Sequence, residues 1–214
     1  MGVLSEFDSK QLLASHGVQI SNDLLVASAD AAAEAALQLA GPVALKLCGQ
    51  ALAHKSERGL VKLGLDDPAS VKRAAQELLA TITAEDGEVA LLVSQMVTGH
   101  REFIIGVART AQFGAVLMLG LGGVLAEATA NAVFRLLPVT HQDCQDMIHD
   151  LDAEPLLTEF RGEAAVDQHS LVNALLAIAS AAATDGIEEI DVNPLIICQG
   201  QPVAVDALVV TTNS

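Results

Sequence analysis

Near its C-terminal end the chain reads Glu188-Glu189-Ile190-Asp191-Val192-Asn193-Pro194-Leu195, followed by Val203-Ala204-Val205-Asp206-Ala207. Apolar and polar residues alternate in both runs, which predicts two strands. Because alternate side chains of a strand point to opposite faces, the valines and isoleucine separate from the oxygen-bearing side chains. These oxygen-bearing side chains are Asp191, Asn193 and Asp206.

Two carboxylates and one amide suit Mg²⁺, which takes a few protein oxygens and completes its coordination with water and nucleotide phosphates. The alternative is a solvated hairpin face with a turn at Gln199-Gly200-Gln201. The spacing alone leaves both interpretations open.

The composition excludes several classes of function. Of the 214 residues, 51% are hydrophobic, so a substantial core is expected. The net charge of −16, with five Phe and no Trp or Tyr, argues against nucleic-acid binding, which needs basic and aromatic side chains. No apolar run is long enough to span a bilayer, no secretory signal is evident and the cysteines lack metal spacing, so we expect a cytoplasmic protein with free thiols.

The basic residues are concentrated in one segment. Six of the eleven Lys and Arg residues are Lys46, Lys55, Arg58, Lys62, Lys72 and Arg73. A local cationic patch in an acidic protein is what a phosphate-bearing ligand requires, although helix-surface charge explains Lys72 and Arg73 equally well.

Strands and helices are interleaved along the chain, which predicts a mixed α and β (α+β) class. Strands are expected at 24–26, 43–47, 60–65, 89–97, 101–109, 115–121 and 133–139, before the terminal hairpin. Helices are expected at 9–16 (capped by Ser9), 29–40, 70–83, 141–151 and 170–184. The grouping predicts two lobes, 20–94 and 1–19 plus 95–214, within a single domain of residues 1–214.

Lys46 lies inside the apolar run Val43-Ala44-Leu45-Lys46-Leu47. A charge there is costly unless it is paired, so it is either a phosphate ligand or an edge-strand lysine that prevents aggregation. The polar loop after it contains His54-Lys55-Ser56 and could wrap phosphates with its backbone N–H groups, although a loop histidine is more often a solvated one.

Two further features carry ambiguous signals. Gly120-Leu121-Gly122-Gly123, followed by Glu127, allows close backbone approach to a ligand or simply makes a turn. Gln95-Met96-Val97 ends a strand at the expected lobe boundary, where free backbone N–H and C=O groups could read an adenine edge while the carboxylate of Glu102 takes ribose hydroxyls.

Taken in order, these motifs resemble the ATP-grasp domain of the NDP-forming acyl-CoA synthetases, in particular the β subunit of ADP-forming acetate–CoA ligases and, more distantly, that of succinyl-CoA synthetase. The resemblance covers essentially the whole chain. The residues that carry it are Pro42–Lys46, His54–Ser56, Gly64-Leu65, Glu102–Val107, Gln112–Gly114, Gly120–Gly123, Phe134–Leu136 and Ile190–Leu195.

The resemblance implies an ATP-grasp fold of two lobes with the nucleotide site between them. It implies that Lys46 and Lys55 contact the phosphates of ATP or ADP, and that Asn193 and Asp206 ligate Mg²⁺ with Asp191 adjacent or also ligating. The implied nucleotide-binding residues also include Gln95, Met96 and Val97 at the adenine, Glu102 at the ribose, and Gly122 and Gly123. His54 would be the catalytic phosphate-carrying histidine.

The implied reaction is acyl-CoA, ADP and phosphate going reversibly to carboxylate, CoA and ATP. The chain has no CoA-binding domain of its own, so the resemblance implies a hetero-oligomer with a CoA-binding α subunit, or fusion to one. The family pattern is altered at Gly59-Leu60, where a Gly-Gly pair is usual. A non-catalytic nucleotide-sensing module, or an ATP-grasp ligase with another acceptor, are the alternatives.

Overall fold

A computed structural model describes residues 1–52, 58–123, 131–159 and 161–212. In these ranges the strands are β1 (Gly2–Val3), β2 (Asp23–Val26), β3 (Val43–Cys48), β4 (Val61–Leu65), β5 (Ala90–Gln95), β6 (Glu102–Thr110), β7 (Gly114–Leu121), β8 (Ala132–Leu136), β9 (Ile187–Cys198), β10 (Gln201–Ala204) and β11 (Ala207–Thr211). The helices are α1 (Glu6–Ser15), α2 (Ala29–Leu39), α3 (Pro68–Leu79), α4 (His141–Asp150), α5 (Glu154–Leu157) and α6 (Gln168–Ala182), with a 3₁₀ turn at Ala84–Asp86.

The chain divides into two compact units. The smaller unit consists of Val3–Asp8 and Ser21–Met96, and the larger unit of Met1–Gly2, Ser9–Ile20 and Val97–Ser214. The short segment Val3–Asp8 therefore belongs with a sheet that follows it in sequence by many residues.

The smaller unit is built on a four-stranded sheet with the order β2-β5-β3-β4, whose neighbours pair antiparallel. Helices α2 and α3 pack on one face, where Val43, Leu45 and Leu47 of β3 meet the apolar sides of both helices. Ser28 caps α2 and Asp67 caps α3, each by accepting a backbone N–H. All six residues of β3 are buried, which identifies it as an inner strand covered on both faces.

The larger unit contains a seven-stranded sheet with the order β1-β11-β9-β6-β7-β8, to which β10 adds by pairing with β9. Its core face carries buried residues from each central strand, such as Ile105, Leu119 and Val192. Helix α6 contacts β6 and β9, and Leu175 and Ile178 are among its buried residues.

Strand β9 contains a bulge that matters for the site. Ile105 of β6 pairs with Val192 and Phe103 pairs with Leu195, so Asn193 and Pro194 together oppose the single residue Ile104. A bulge bends its strand and re-aims the side chains next to it.

The mixed α and β class is confirmed, and the expected elements are found with small shifts at their ends. Helix α1 is the clearest exception, because it begins at Glu6 and not after Ser9. Ser5 caps it through a hydrogen bond from the Asp8 N–H to the Ser5 Oγ at 3.1 Å. Ser9 lies inside the helix, where its Oγ accepts the N–H of Val209 at 3.1 Å. Strand β1 and helix α5 were not expected.

Candidate functional site

The side chain of Lys46 is almost completely buried on β3, with 8% of its surface exposed. Because β3 pairs with β4 on one side and β5 on the other, the edge-strand interpretation of this lysine is wrong. Its Nζ donates to Oε1 of Glu6 at 2.6 Å, and the Glu6 side chain is 1% exposed. The buried charge is therefore compensated by a carboxylate, as burial of an ammonium group requires.

Other cations of the basic segment also have carboxylate partners. Lys62 contacts Glu77 at 3.1 Å, Arg58 contacts Asp86 at 2.8 Å, and Lys72 pairs with Asp30. The Arg58 guanidinium, together with hydrogen bonds from Thr83, holds the pKa of the Asp86 carboxyl well below its usual range. Lys46, Arg58, Lys62 and Lys72 therefore each have a carboxylate partner, which partly compensates the positive charge of this segment.

His54 and Lys55 lie outside the described residues. The described residues on either side of 53–57 make backbone hydrogen bonds. On the N-terminal side, the N–H of Leu52 donates to the Gly49 carbonyl at 3.4 Å. On the C-terminal side Leu60 is 1% exposed within the core of the smaller unit, and its carbonyl accepts the N–H of Leu47 at 3.1 Å. The leucine at the altered Gly59-Leu60 pair therefore contributes to the core.

The segment Gln95-Met96-Val97 has fewer free groups than the sequence interpretation assumed. The N–H of Gln95 donates to the Asn22 carbonyl and that of Met96 to the Pro42 carbonyl, both at 2.9 Å. The Gln95 amide also accepts from the Asn22 side chain at 2.7 Å and donates to the Leu39 carbonyl at 3.2 Å. The assumption of free N–H groups is therefore wrong for Gln95 and Met96.

Glu102 and the glycines after β7 are brought together in the larger unit. The N–H of Gly122 donates to the Glu102 carbonyl at 2.7 Å. A Cβ atom at Gly122 would lie 3.0 Å from the Glu102 Cβ, and one at Gly123 would lie 3.1 Å from the Glu102 carboxylate. Gly123 also has a φ of +60°, which favours glycine. These glycines are thus needed for close approach to Glu102; Glu127 lies outside the described residues.

The three oxygen-bearing residues of the terminal strands share one region of the larger unit. The N–H of Asn193 donates to the Asp206 carbonyl at 3.3 Å, and that of Val205 to the Pro194 carbonyl at 3.2 Å. Asp206 therefore lies directly across from the bulge, in the connection between β10 and β11 and not within a strand as expected. The backbones of Asn193 and Asp206 are therefore adjacent.

Asp191 is the third residue of this set, and its carboxyl lies near that of Asp206. It lies two residues before Asn193 on β9, partly buried, between the buried Ile190 and Val192. Burial raises the pKa of its carboxyl, and the nearby carboxylates of Glu189 and Asp206 raise it further. A bound cation lowers the repulsion between like charges held together in this way. Two carboxylates and an amide fit Mg²⁺ by donor chemistry. Among the described residues, no group of three or more His, Cys, Asp and Glu side chains is placed to hold a metal ion. The candidate site therefore depends on the amide of Asn193 as well as on carboxylates.

Two charged residues of α1 were not identified as candidate site residues from the sequence. Glu6 is the partner of Lys46, and Lys10 is fully buried, with its Nζ donating to the Val205 carbonyl at 3.3 Å beside Asp206. The signal that could have found them is their four-residue spacing, which places both on one side of a helix.

Arg101, a buried arginine next to Glu102, was also not identified from the sequence. The guanidinium of Arg101 donates to the carbonyls of Leu156, Thr158 and Ala164 and to the Glu163 carboxylate. These contacts anchor the start of β6, the strand that carries Glu102.

A cavity of about 740 Å³ lies in the smaller unit. Its lining residues include Asp8, Asp86, Glu88 and Gly49–Ala51, and the Asp86 carboxylate is paired with Arg58. Separately, the helices in the described part of the chain are too short or too polar to cross a membrane.

Comparison with known proteins provides independent information. A family model described as an ATP-grasp domain matches residues 1–211. The β subunit of an ADP-forming acetate–CoA ligase II from Pyrococcus furiosus is 33% identical over 197 residues, which are 90% of this chain and 84% of that protein. An ADP-forming acetate–CoA ligase II from Archaeoglobus fulgidus is 31% identical over 97% of this chain, and the chain spans only 30% of its length.

A solved structure shows the same likeness in three dimensions. The dinucleotide-forming acetyl-coenzyme A synthetase 1 of Ca. Korarchaeum cryptofilum, in complex with coenzyme A and Ca-AMPCP, superposes with a TM-score of 0.90 and 31% identity, covering 99% of this chain and 94% of that one. Another structure of that enzyme, with coenzyme A and Mg-AMPPCP, superposes with a TM-score of 0.81 and 32% identity, covering 97% of this chain and 92% of that one.

Proposed function

Because this chain belongs to the ATP-grasp family, we propose that it is the nucleotide-binding, phosphoryl-transferring part of an ADP-forming acyl-CoA synthetase. The observation that carries this proposal is the set formed by Asp191, Asn193 and Asp206 at the β9 bulge, in a chain that matches separate β subunits over nearly its whole length. The net reaction is acyl-CoA, ADP and phosphate going reversibly to carboxylate, CoA and ATP.

In this proposal the phosphoryl group passes from a partner to His54 and then to ADP. A neutral imidazole nitrogen of His54 accepts the phosphoryl group while the nitrogen–phosphorus bond of a phosphohistidine on the partner breaks. The new nitrogen–phosphorus bond on His54 is then broken by attack of a β-phosphate oxygen of ADP, which gives ATP and free His54. Phosphoryl transfer depends mainly on positioning and charge neutralisation, so the scaffold has little covalent chemistry to perform. Lys46 supplies a fixed cation for the nucleotide phosphates, with Lys55 as a second one.

The larger unit orients the nucleotide and its metal. Glu102, held by Arg101 on one side and the close glycines on the other, accepts hydrogen bonds from the ribose hydroxyls. Asn193 and Asp206, with Asp191 beside them, would hold Mg²⁺ through their oxygens. When bound, the ion neutralises phosphate charge. The fit rests on donor chemistry and on the raised pKa of Asp191.

The chain works with a CoA-binding partner in this proposal. Its relatives include a separate β subunit and a single chain about three times as long, which implies that the CoA-binding part is either another subunit or fused. We propose a hetero-oligomer with such a subunit. The acyl group is then selected by the partner.

The test of nucleotide binding uses the chain alone, titrated with ADP in the presence and absence of Mg²⁺. We expect binding that Mg²⁺ strengthens. Absence of ADP binding with Mg²⁺ present would refute the proposal.

The test of phosphoryl transfer uses the complex with the CoA-binding partner and follows ATP formation from acyl-CoA, ADP and phosphate. The His54→Asn variant should lose ATP formation and the acid-labile phosphohistidine on this chain. The matched control is His149→Asn, which removes an exposed histidine of α4 and should leave the rate unchanged. Unchanged ATP formation in His54→Asn would eliminate the phosphocarrier role. Nucleotide binding without transfer in the wild-type complex would favour the nucleotide-sensing alternative.

A further inference from the structure

The contact between Lys46 and Glu6 places a full negative charge at the lysine that the proposed function assigns to phosphate. The 2.6 Å separation of Nζ and Oε1 is short even for a charge-assisted hydrogen bond. Both side chains are more than nine-tenths buried, so water screens the pair weakly. The segment Val3–Asp8 that brings Glu6 belongs to the same compact unit as Lys46.

The position of Glu6 in its helix stabilises its charged form. Glu6 is the first residue of α1, and carboxylates are favoured in the first turn, where backbone N–H groups point outward. The carboxylate is therefore held as an anion by the helix and by Lys46 together.

Packing alone does not account for the pair. Apolar side chains of similar volume would fill the same space without removing two charges from water, and such replacements are often neutral or stabilising. A buried lysine with a buried carboxylate is expected where the cation itself is needed and must be kept in place before the ligand arrives.

We propose that Glu6 is a positioning residue and internal counter-ion for Lys46, which nucleotide phosphate must compete with. The inference rests on the proposed role of Lys46. In the nucleotide-free chain Glu6 holds the ammonium group in place. When ADP or ATP binds, the phosphate oxygens share or displace this contact, so Glu6 limits how tightly the nucleotide is held. Such a limit suits a reversible transfer, in which ATP must also be released.

The decisive variant is Glu6→Gln, which keeps the size of the side chain and an acceptor oxygen but removes the charge. We expect ADP affinity, measured by calorimetry with Mg²⁺, to increase about tenfold. Affinity for adenosine, which has no phosphate, should stay the same. A purely structural role for Glu6 would not raise ADP affinity selectively.

Matched variants separate the possible failures. Glu77→Gln removes the carboxylate of the exposed Lys62–Glu77 pair in the same unit and should leave ADP affinity unchanged. Lys46→Met should weaken ADP binding and should abolish the effect of Glu6→Gln in the double variant. If Lys46→Met binds ADP as the wild type does, the proposed phosphate role of Lys46 fails.

If Lys46→Met binds ADP weakly but Glu6→Gln binds it no more tightly than the wild type, the counter-ion role of Glu6 is overturned. Should Glu6→Gln not fold, Glu6→Asp withdraws the carboxylate by one methylene while keeping its charge. It should then bind ADP a few times more tightly than the wild type, and equal or weaker binding would again overturn the role.

Discussion

Lys46 of β3 and the carboxylates around the β9 bulge are in opposite electrostatic situations. Lys46 is a buried charge that already meets an opposite charge, the Glu6 carboxylate at 2.6 Å. Asp191 is a partly buried charge that meets like charges, the carboxylates of Glu189 and Asp206, and its pKa is raised by burial and by both of them.

The difference between these regions has a functional consequence. In the first region the lysine already has a carboxylate partner, so an anionic ligand there has to compete with that carboxylate. The second region gains free energy when a cation arrives, because a cation relieves the repulsion between the carboxylates.

Removing the carboxylate from the first region should have the largest effect on stability. Glu6→Ala should lower the free energy of unfolding by about 3 kcal/mol, because truncating one member of a buried ion pair leaves the other charge poorly compensated. Urea unfolding without nucleotide measures the effect. A loss below 1 kcal/mol would show that the pair is not the main compensation for the Lys46 charge.

Removing a carboxylate from the second region should act on ligand binding. Asp206→Ala should lower the affinity for ADP in the presence of Mg²⁺ by about 100-fold, while affinity without Mg²⁺ changes little. Titration of ADP with and without Mg²⁺ checks this. Glu189→Gln, which neutralises the exposed neighbouring carboxylate, is the control and should keep the Mg²⁺ effect. Retention of the Mg²⁺ effect in Asp206→Ala would contradict the metal assignment.

Removing a carboxylate charge should stabilise the fold in the second region, whereas it should destabilise the fold in the first. Asp191→Asn should raise the free energy of unfolding at neutral pH without metal, because the carboxyl has a raised pKa in the folded state. A group with a raised folded-state pKa stabilises the fold below its unfolded-state pKa, and this contribution is lost as the pH rises through the folded-state pKa. The advantage of the variant should therefore disappear in acid. Urea unfolding across the pH range tests this, and a destabilised variant at neutral pH would contradict it.

The smallest effect is expected at an exposed ion pair of the smaller unit. Lys62 and Glu77 are 40% and 56% exposed, so Glu77→Gln should change the free energy of unfolding by less than about 0.5 kcal/mol. Comparison with Glu6→Ala in the same unfolding experiment separates burial from mere charge pairing. Equal losses in both variants would remove the distinction between the two pairs.

Much of the fold was predictable because its signals are local. The alternation in Ile190–Leu195, the helix expected at 29–40 and the apolar run of β3 each depend on neighbours within a few residues. The fold class is confirmed for the same reason, and the family resemblance is confirmed by the match over residues 1–211. The roles of the individual site residues remain predictions.

The errors arose where a side chain meets a residue distant in the sequence. Glu6 and Lys46 are 40 residues apart, and the Gln95 side chain contacts Asn22. The sequence interpretation did not single out Glu6, and it treated the N–H groups of Gln95 and Met96 as free. Neither contact has a local pattern that would reveal it.

The sequence by itself determined the strands, the helices and the types of oxygen and nitrogen groups available for nucleotide and metal, because these follow from local periodicity and residue chemistry. Only the tertiary structure decided that β3 is an inner strand and that Glu6 compensates Lys46. It also placed Asp206 opposite the bulge at Asn193. The physical reason is that strand order and the pairing of buried charges depend on contacts between distant segments, which form only when the sheets assemble.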